Sequence, residues 1–378
     1  MFCVDNKGNF RLRQHDCKSL IQWIELFDEV VFYFTEVPYD SSKESWTILN
    51  DSRCKFIAIC NHGDTLIHKI KGIQQAATSS FDCDIYYYRL PSYEPMIFHF
   101  FVGNKRPYFI ELHGDHETAF LTGPQPWYIK YPLAKLMYLY TRKMGQNSAF
   151  AYSIGEALVK KYVPSQVPQY VTTNHLTSIS EYPEECPYRE LSDPVNLLFV
   201  GAIQHRKGLK NLFLVLDRMH KAGCGFIMNI VGSGEQQLEL MQYAESHGFG
   251  HRVKFWGQVP HGAALYAIYK KADIFILPSV SAEGVPRVTH EAMIFGCPVI
   301  ATDIGSIAWQ LSGGAGIVLK PNDNEALYDS IMQLINNPEL RKKYIYTAYE
   351  KSKLFSWEKQ KEGNNDFARS QFVKLGLR

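Results

Sequence analysis

The sequence predicts two α/β layer sandwiches, each a parallel sheet covered by helices, and three observations carry that reading. Strand-length apolar runs alternate with segments of helical spacing along most of the chain. The periodicity lapses over residues 175–194, and a second series of the same kind begins at once. Strands separated by single helices imply parallel βαβ units with right-handed crossovers. A length of 378 residues suits two large domains with sizeable cores, since domains commonly run to roughly 100–150 residues.

The elements follow in order. In the first half, residues 29–37 (EVVFYFTEV), 55–59, 83–90 (CDIYYYRL), 107–112 (PYFIEL) and 148–153 read as strands, with helical spacing over 19–27, 65–77 and 131–144. Near-continuous apolar runs of this kind suit parallel strands buried on both faces. The prolines, serines and acidic residues of HLTSISEYPEECPYRELSDP (175–194) read as a linker. The second series has strands at 195–203, 226–234, 252–259, 272–279, 298–305 and 316–321. Between the first two, Leu209, Leu212, Phe213, Leu216 and Met219 form an apolar helical stripe that faces a sheet. Helices follow at 325–335, 338–354 and from 357 towards 375. The expected domains are 1–174, 195–355 with the linker 175–194 before it, and a C-terminal helix, 356–378, packing back toward the first.

Composition excludes several classes. Hydrophobic residues make up 46% and charged residues 21%, which is globular and neither disordered nor fibrous. A net charge of +2 gives no electrostatic footprint for nucleic acid. The eight cysteines, Cys17 among them, show neither a CxxC pair nor a metal-ligand spacing, so reduced thiols, no metal and a cytoplasmic setting are expected. The first residues lack the apolar run of a secretory signal and no stretch of about 18 uncharged apolar residues occurs, so neither a signal peptide nor a membrane span is expected. The segment 128–144 mixes Tyr128, Tyr131, Leu133, Leu136, Met137, Tyr138, Leu139 and Tyr140 with Lys130, Lys135, Arg142 and Lys143. Two readings stay open for it: a peripheral contact with the inner face of a membrane, or a core-packed helix with a solvated basic side.

The densest chemical signal is LPSVSAEGVPRVTHEAMIFGCPVIATDIG, residues 277–305. Glu283 falls in the loop after a strand, Pro286 at the first turn of a helix, where its missing N–H costs nothing, and Glu291 inside that helix. The unpaired N–H groups of such a turn suit an anion or hydroxyl at the C-terminal edge of a parallel sheet. An ionised carboxylate such as Glu291 accepts two hydroxyl hydrogens from a cis-diol such as a ribose. The plainer reading is that both glutamates only favour the helix N-terminus, at about 0.3–1 kcal/mol each.

These residues carry a resemblance. EGVPRVTHEAM, with Glu283 and Glu291 eight positions apart, and the following GCPVIATDIG, with Gly296, Pro298 and Gly305, resemble the E-x7-E segment of family-4-type retaining glycosyltransferases (glycosyl transferases group 1). The resemblance implies the GT-B fold, two Rossmann-like domains facing each other across a cleft, with C-terminal helices. It places Gly284, Val285 and Arg287 at the donor. FVGAIQHRKGLKNL resembles the family's turn in which a lysine before a glycine faces the donor diphosphate; here that lysine is Lys207, and Gly201 opens the turn. The family often has arginine where this chain has Ala202, so a phosphate contact is either missing or supplied by Arg206. IVGSGEQQ, with Gly232 and Gly234, resembles a turn that lets backbone approach the nucleotide. Phe255, Trp256 and Gly257 stand where the family's base-binding turn occurs, with a core position for Trp256 equally open.

In the first half, RLPSYEP (89–95) and IELHGDHETAF (110–120) resemble a polysaccharide-assembly branch of the same family. There His113, with Asp115 and His116 as further candidates, is expected at the donor sugar or acceptor hydroxyl. The N-terminus departs from the family's pattern: a clipped first strand is followed only by Gly8.

The resemblance implies retaining transfer from a nucleotide diphosphate sugar to a hydroxyl of a glycan or lipid-linked acceptor. In that reading Lys207 neutralises the leaving diphosphate, Glu283 holds the donor sugar and Glu291 the ribose. The donor is a substrate and no further cofactor is implied. Asp82-Cys83-Asp84 precedes a strand rather than following one, so metal dependence is not expected. A nucleotide-sugar-binding subunit without catalysis and a sugar-nucleotide 2-epimerase of the same fold are the alternatives.

Overall fold

The computed structural model describes residues 2–4, 9–13, 20–39, 46–79, 82–121, 126–175, 177–281 and 283–377. Gly8, Cys17 and the side chain of His116 lie outside the described residues. Close contacts group the chain into two units, residues 1–154, 158–176 and 360–378 in the first and 155–157 and 177–359 in the second.

The first unit holds two sheets. Strands β1 (Phe2–Val4), β2 (Phe10–Arg13), β3 (Val30–Glu36), β4 (Trp46–Ile48) and β5 (Cys54–Asn61) pair in the order β4-β2-β1-β3-β5. The expectation of an all-parallel first half is corrected here: β1–β3 and β3–β5 are parallel, but β1–β2 and β2–β4 are antiparallel. Residues 5–9 alone join β1 to β2, far fewer than the dozen or so a parallel crossover requires. The clipped first strand is a three-residue strand inside this sheet.

The second sheet of the unit is wholly parallel and sequential: β6 (Tyr86–Leu90), β7 (Tyr108–Leu112), β8 (Phe150–Ile154) and β9 (Gln169–Thr172). Alternation along β7 splits its side chains between two cores. Tyr108, Ile110 and Leu112 join Met96 and Tyr162 on one side, and Phe109 joins Trp23, Phe150 and Tyr152 on the other. Glu111 therefore falls on the Phe109 side, buried at 4% exposure. The C-terminal part of the helix Trp357–Lys374 covers that side. Phe372 packs its ring 5.8 Å from Phe150, and the Tyr152 hydroxyl donates to the Asn364 carbonyl at 2.6 Å.

The second unit is built on one six-stranded parallel sheet: β10 (Val195–Val200), β11 (Phe226–Val231), β12 (Val253–Gly257), β13 (Ile274–Leu277), β14 (Val299–Thr302) and β15 (Ile317–Leu319). Its order, β12-β11-β10-β13-β14-β15, is the 3-2-1-4-5-6 order of doubly wound nucleotide-binding sheets. The helix Leu209–Lys221 buries Leu209, Leu212, Phe213, Leu216 and Met219 in the core of this unit, as the apolar stripe requires. The segment read as a linker is no free tether from residue 177 onward. Tyr182 donates its hydroxyl to the Ser352 carbonyl at 2.9 Å, and Arg189 donates to the carbonyls of Phe295 and Tyr269 at 3.1 and 3.3 Å.

Candidate active site

The sheet order fixes where a ligand can sit. The strand order reverses between β10 and β13, and in sheets of this kind ligands bind in the crevice outside the C-terminal ends of the strands at that point. Residues 201–208 follow β10, and residues 278–281 and 283–286 follow β13. They are joined through backbone: the amides of Val280 and Ser281 donate to the Arg206 carbonyl at 2.8 and 3.4 Å. Gly208 makes the approach possible. Its φ of +68° suits a residue without a Cβ, and a Cβ there would stand 1.9 Å from the Pro278 carbonyl oxygen.

At this crevice Lys207 Nζ donates to Glu283 Oε1 at 2.5 Å, with side-chain exposures of 9% and 7%. Ser279 Oγ donates to the same oxygen at 2.6 Å, and Arg206 Nη1 lies 3.7 Å from it. Burial lowers the pKa of the Lys207 ammonium, and the Glu283 carboxylate offsets only part of that shift. Arg206 is half-buried and donates through Nε to Gln204 Oε1 at 3.1 Å.

Eight residues on, the helix Arg287–Ile294 carries Glu291 into the interior at 4% exposure. His261 Nε2 lies 3.3 Å from Glu291 Oε1, while Oε2 is buried and has no hydrogen-bond partner among the described residues. A buried carboxylate oxygen without a donor is costly, so this atom is poised to accept a hydroxyl. The hydrogen bond to Glu291 raises the pKa of His261 against the effect of burial. Tyr266 completes the group, its hydroxyl donating to Glu181 Oε2 at 3.0 Å and lying 3.3 Å from His261 Nε2. Pro286 stands at the N-cap, Val285 is buried, and Gly284 and Arg287 are exposed at the start of the helix.

The other glycines have reasons of their own. A Cβ at Gly232 would meet the Gly201 carbonyl oxygen at 2.0 Å, and one at Gly234 would meet the Ile203 carbonyl oxygen at 2.3 Å. The close approach they permit is thus between the loops after β10 and β11. Gly257 ends β12, where its carbonyl accepts from the Gly232 amide at 2.7 Å. Trp256 is 40% exposed on that edge strand and donates to Asn229 Oδ1 at 3.0 Å, so the core reading of Trp256 is set aside.

In the first unit His113 follows β7 directly. Its Nε2 lies 3.0 Å from Glu111 Oε2, and Arg89 approaches both ring nitrogens, Nε at 3.1 Å from Nε2 and Nη2 at 3.2 Å from Nδ1. Burial pushes the Glu111 carboxyl up. The His113 charge and hydrogen bond, Arg89 and the Tyr87 hydroxyl outweigh that and bring it down to about 2. Asp115, a further candidate, is taken up structurally: it accepts from Lys161 Nζ at 2.6 Å, from Tyr162, and from the Glu117 and Thr118 amides that open the next helix.

Sequence reasoning missed Arg89, Glu111 and His261. A signal for the first two existed: YYYRL and YFIEL each carry one charge in a buried parallel strand, and the register pairs Arg89 with Glu111. His261 sits in a polar loop and gives no such signal. Among the described residues no group of three or more His, Cys, Asp or Glu is placed to hold a metal ion.

Comparison with known proteins agrees with this geometry. Residues 187–351 match the family model described as Glycosyl transferases group 1. A phosphatidyl-myo-inositol mannosyltransferase of Mycobacterium leprae is 30% identical over 186 residues, 48% of this chain and 48% of that protein. The chain spans about half the length of the curated relatives it matches. Among solved structures, sucrose-phosphate synthase from Thermosynechococcus elongatus superposes with a TM-score of 0.66 at 16% identity, over 92% of this chain and 90% of that one. The Anabaena HepE protein in complex with UDP gives 0.62 at 17%, over 84% and 86%. These likenesses establish the GT-B fold.

Proposed function

We propose, from the match of residues 187–351 to the family model of glycosyl transferases group 1, that the chain moves a sugar from a nucleotide diphosphate sugar to a hydroxyl of a glycan or lipid-linked acceptor. Transfer proceeds with retention at the anomeric carbon, in surface polysaccharide or glycoconjugate assembly. One observation carries the donor side of this reading: the Lys207–Glu283 pair stands at the switch point of a 3-2-1-4-5-6 sheet, and the same loop-helix segment bears a buried carboxylate with one unpartnered oxygen.

The roles follow from the chemistry. Lys207, with the first-turn amides of the helix Arg287–Ile294, balances the charge that develops on the leaving diphosphate. Its ammonium exchanges part of its contact with Glu283 for phosphate oxygens, which frees that carboxylate to accept hydroxyls of the donor sugar. Glu291 Oε2 accepts a ribose hydroxyl. Arg206 stands beside the pair and supplies the second positive charge that Ala202 cannot. Retention without a covalent intermediate needs a front-face path, in which the leaving phosphate oxygen takes the acceptor proton while the protein supplies charge and position. His113, held by Arg89 and Glu111, is the candidate contact to the sugar or acceptor hydroxyl from the first unit. UDP in the HepE structure makes UDP-sugars the first donors to try.

The test is incubation of the full chain with labelled nucleotide sugars and acceptor extracts. A glycosylated product that disappears with Lys207→Ala supports the reading. Binding without turnover, or release of a free epimerised nucleotide sugar, overturns it.

A further inference from the structure

A cis-diol offers two hydroxyls to a carboxylate, and both carboxylate oxygens are needed to accept them side by side. At Glu291 the two oxygens stand differently. Oε2 is buried with no hydrogen-bond partner among the described residues, while Oε1 already faces His261 Nε2 at 3.3 Å. Burial differs as sharply between the two side chains: Glu291 is 5% exposed and His261 55%. The carboxylate is fixed in the interior by the helix Arg287–Ile294, and the imidazole stands on its solvent side. Gly262, next in the chain, has a φ of +119° and open space where a Cβ would be, so the loop has room to carry the ring outward.

The hydrogen-bond roles around His261 run one way. The Tyr266 hydroxyl donates to Glu181 Oε2 at 3.0 Å, so it presents a lone pair toward His261 Nε2, 3.3 Å away. Nε2 therefore carries a proton, shared between Tyr266 and Glu291 Oε1. A second proton at Nδ1 makes the ring a cation beside the carboxylate. Glu291 and Arg287 face it from one helix, Tyr266 from another and Glu181 from the turn Ile179–Glu181. The hydrogen bond to Glu291, with the charges of Glu291 and Glu181, raises the pKa of His261 against burial and Arg287. Tyr266 is pushed up by burial and stays neutral.

We propose that His261 is a latch on the nucleotide site: its imidazolium holds Glu291 Oε1, and a ribose takes both carboxylate oxygens only by displacing it. This role rests on the ribose reading of Glu291 and adds a consequence to it. The nucleotide competes with a histidine that grips the carboxylate most firmly when charged, so donor affinity falls as pH falls through the pKa of His261. A ribose contact without the latch gives no reason for that dependence.

The test is calorimetry of UDP-glucose binding to the full chain, from below pH 6.5 to well above it, with wild type, His261→Ala, His261→Asn and Glu291→Gln. UDP-glucose replaces UDP because its terminal phosphate is esterified and does not titrate near neutrality as a phosphate monoester does. Wild type is expected to bind about tenfold more weakly one unit below the pKa of His261 than far above it, since only the fraction with a neutral ring is competent. Both His261 variants, neutral at every pH, should surpass wild type at acid pH and match it at alkaline pH. Glu291→Gln should bind weakly throughout. A histidine that only supported the fold would act in the opposite sense, its removal weakening binding at all pH values. The changed histidine is an exposed side chain, and thermal melting verifies that the variants fold. Parallel pH curves for wild type and the His261 variants overturn the latch and leave the ribose with Glu291. Affinity that Glu291→Gln does not alter, or no binding by any of the proteins, overturns the ribose reading and the latch with it.

Discussion

Lys207 Nζ and Glu283 Oε1 lie 2.5 Å apart although 76 residues separate them in sequence. The pair exists because β10 and β13 are neighbours, so the loops that leave them share one crevice. Neither charge would be stable there alone, since a buried ion without its partner is strongly disfavoured. The arrangement keeps the buried cation paired.

Lys207→Ala is expected to lower turnover by about a hundredfold or more, the ~2.7–4 kcal/mol typical of removing one charge-stabilising donor. Breaking the pair also destabilises the second unit, by ~3–5 kcal/mol if Glu283 stays ionised. Kinetics and urea unfolding of Lys207→Ala, with Lys207→Ala/Glu283→Gln beside it, separate the two effects. The double variant should regain stability and not activity.

Glu291→Gln keeps the shape of the side chain but weakens it as an acceptor for a diol. Nucleotide affinity should fall about tenfold or more, in line with the ~1.5–3 kcal/mol of a hydrogen bond to a charged group, and the melting temperature should change little. Calorimetry with UDP is the measurement. Unchanged affinity would remove the ribose from Glu291.

Gly208→Ala places a Cβ 1.9 Å from the Pro278 carbonyl at a φ of +68°. The left-handed backbone alone costs an alanine about 1–2 kcal/mol, and the steric conflict adds to it. Thermal unfolding should show a clear loss of stability, and the nucleotide should bind more weakly because the two loops are pushed apart.

His261 has a pKa raised above its ordinary 6.5, first through its hydrogen bond to Glu291. A group whose pKa is raised on folding stabilises fully below its unfolded value and loses that contribution as pH rises through the folded one. Wild type should therefore melt above His261→Gln at pH values under 6.5, with the gap narrowing at alkaline pH. A gap that widens with pH would contradict the pairing.

Glu111 has the opposite sign. Its carboxyl lies at about 2 instead of the ordinary 4.5, so its stabilising contribution is present above 4.5 and is lost as pH falls toward 2. Acid unfolding followed by circular dichroism should be less steep in that window for Glu111→Gln than for wild type. At neutral pH the variant should be the less stable protein, because the Tyr87 hydroxyl loses its ionised acceptor and Arg89 the negative charge near it.

The sequence by itself determined what depends on neighbours along the chain. Apolar runs placed all six strands of the second unit, helical spacing placed Leu209–Lys221, and the local grammar of EGVPRVTHEAM put Glu283 before a helix and Glu291 within it. Lys207 before Gly208 was legible only through the family resemblance, and the left-handed Gly208 that opens the helix fits it. Only the tertiary structure decided which side chains meet. The pairing of Lys207 with Glu283 depends on sheet order, that of Arg89 with His113 on the placing of β6 beside β7, and that of His261 with Glu291 on how a loop after β12 returns over a helix. Period-two and period-3.6 patterns report which face of an element is buried and are silent on which element lies beside it. The antiparallel pairing of β1 with β2 shows the same limit, because strand propensity alone does not set direction.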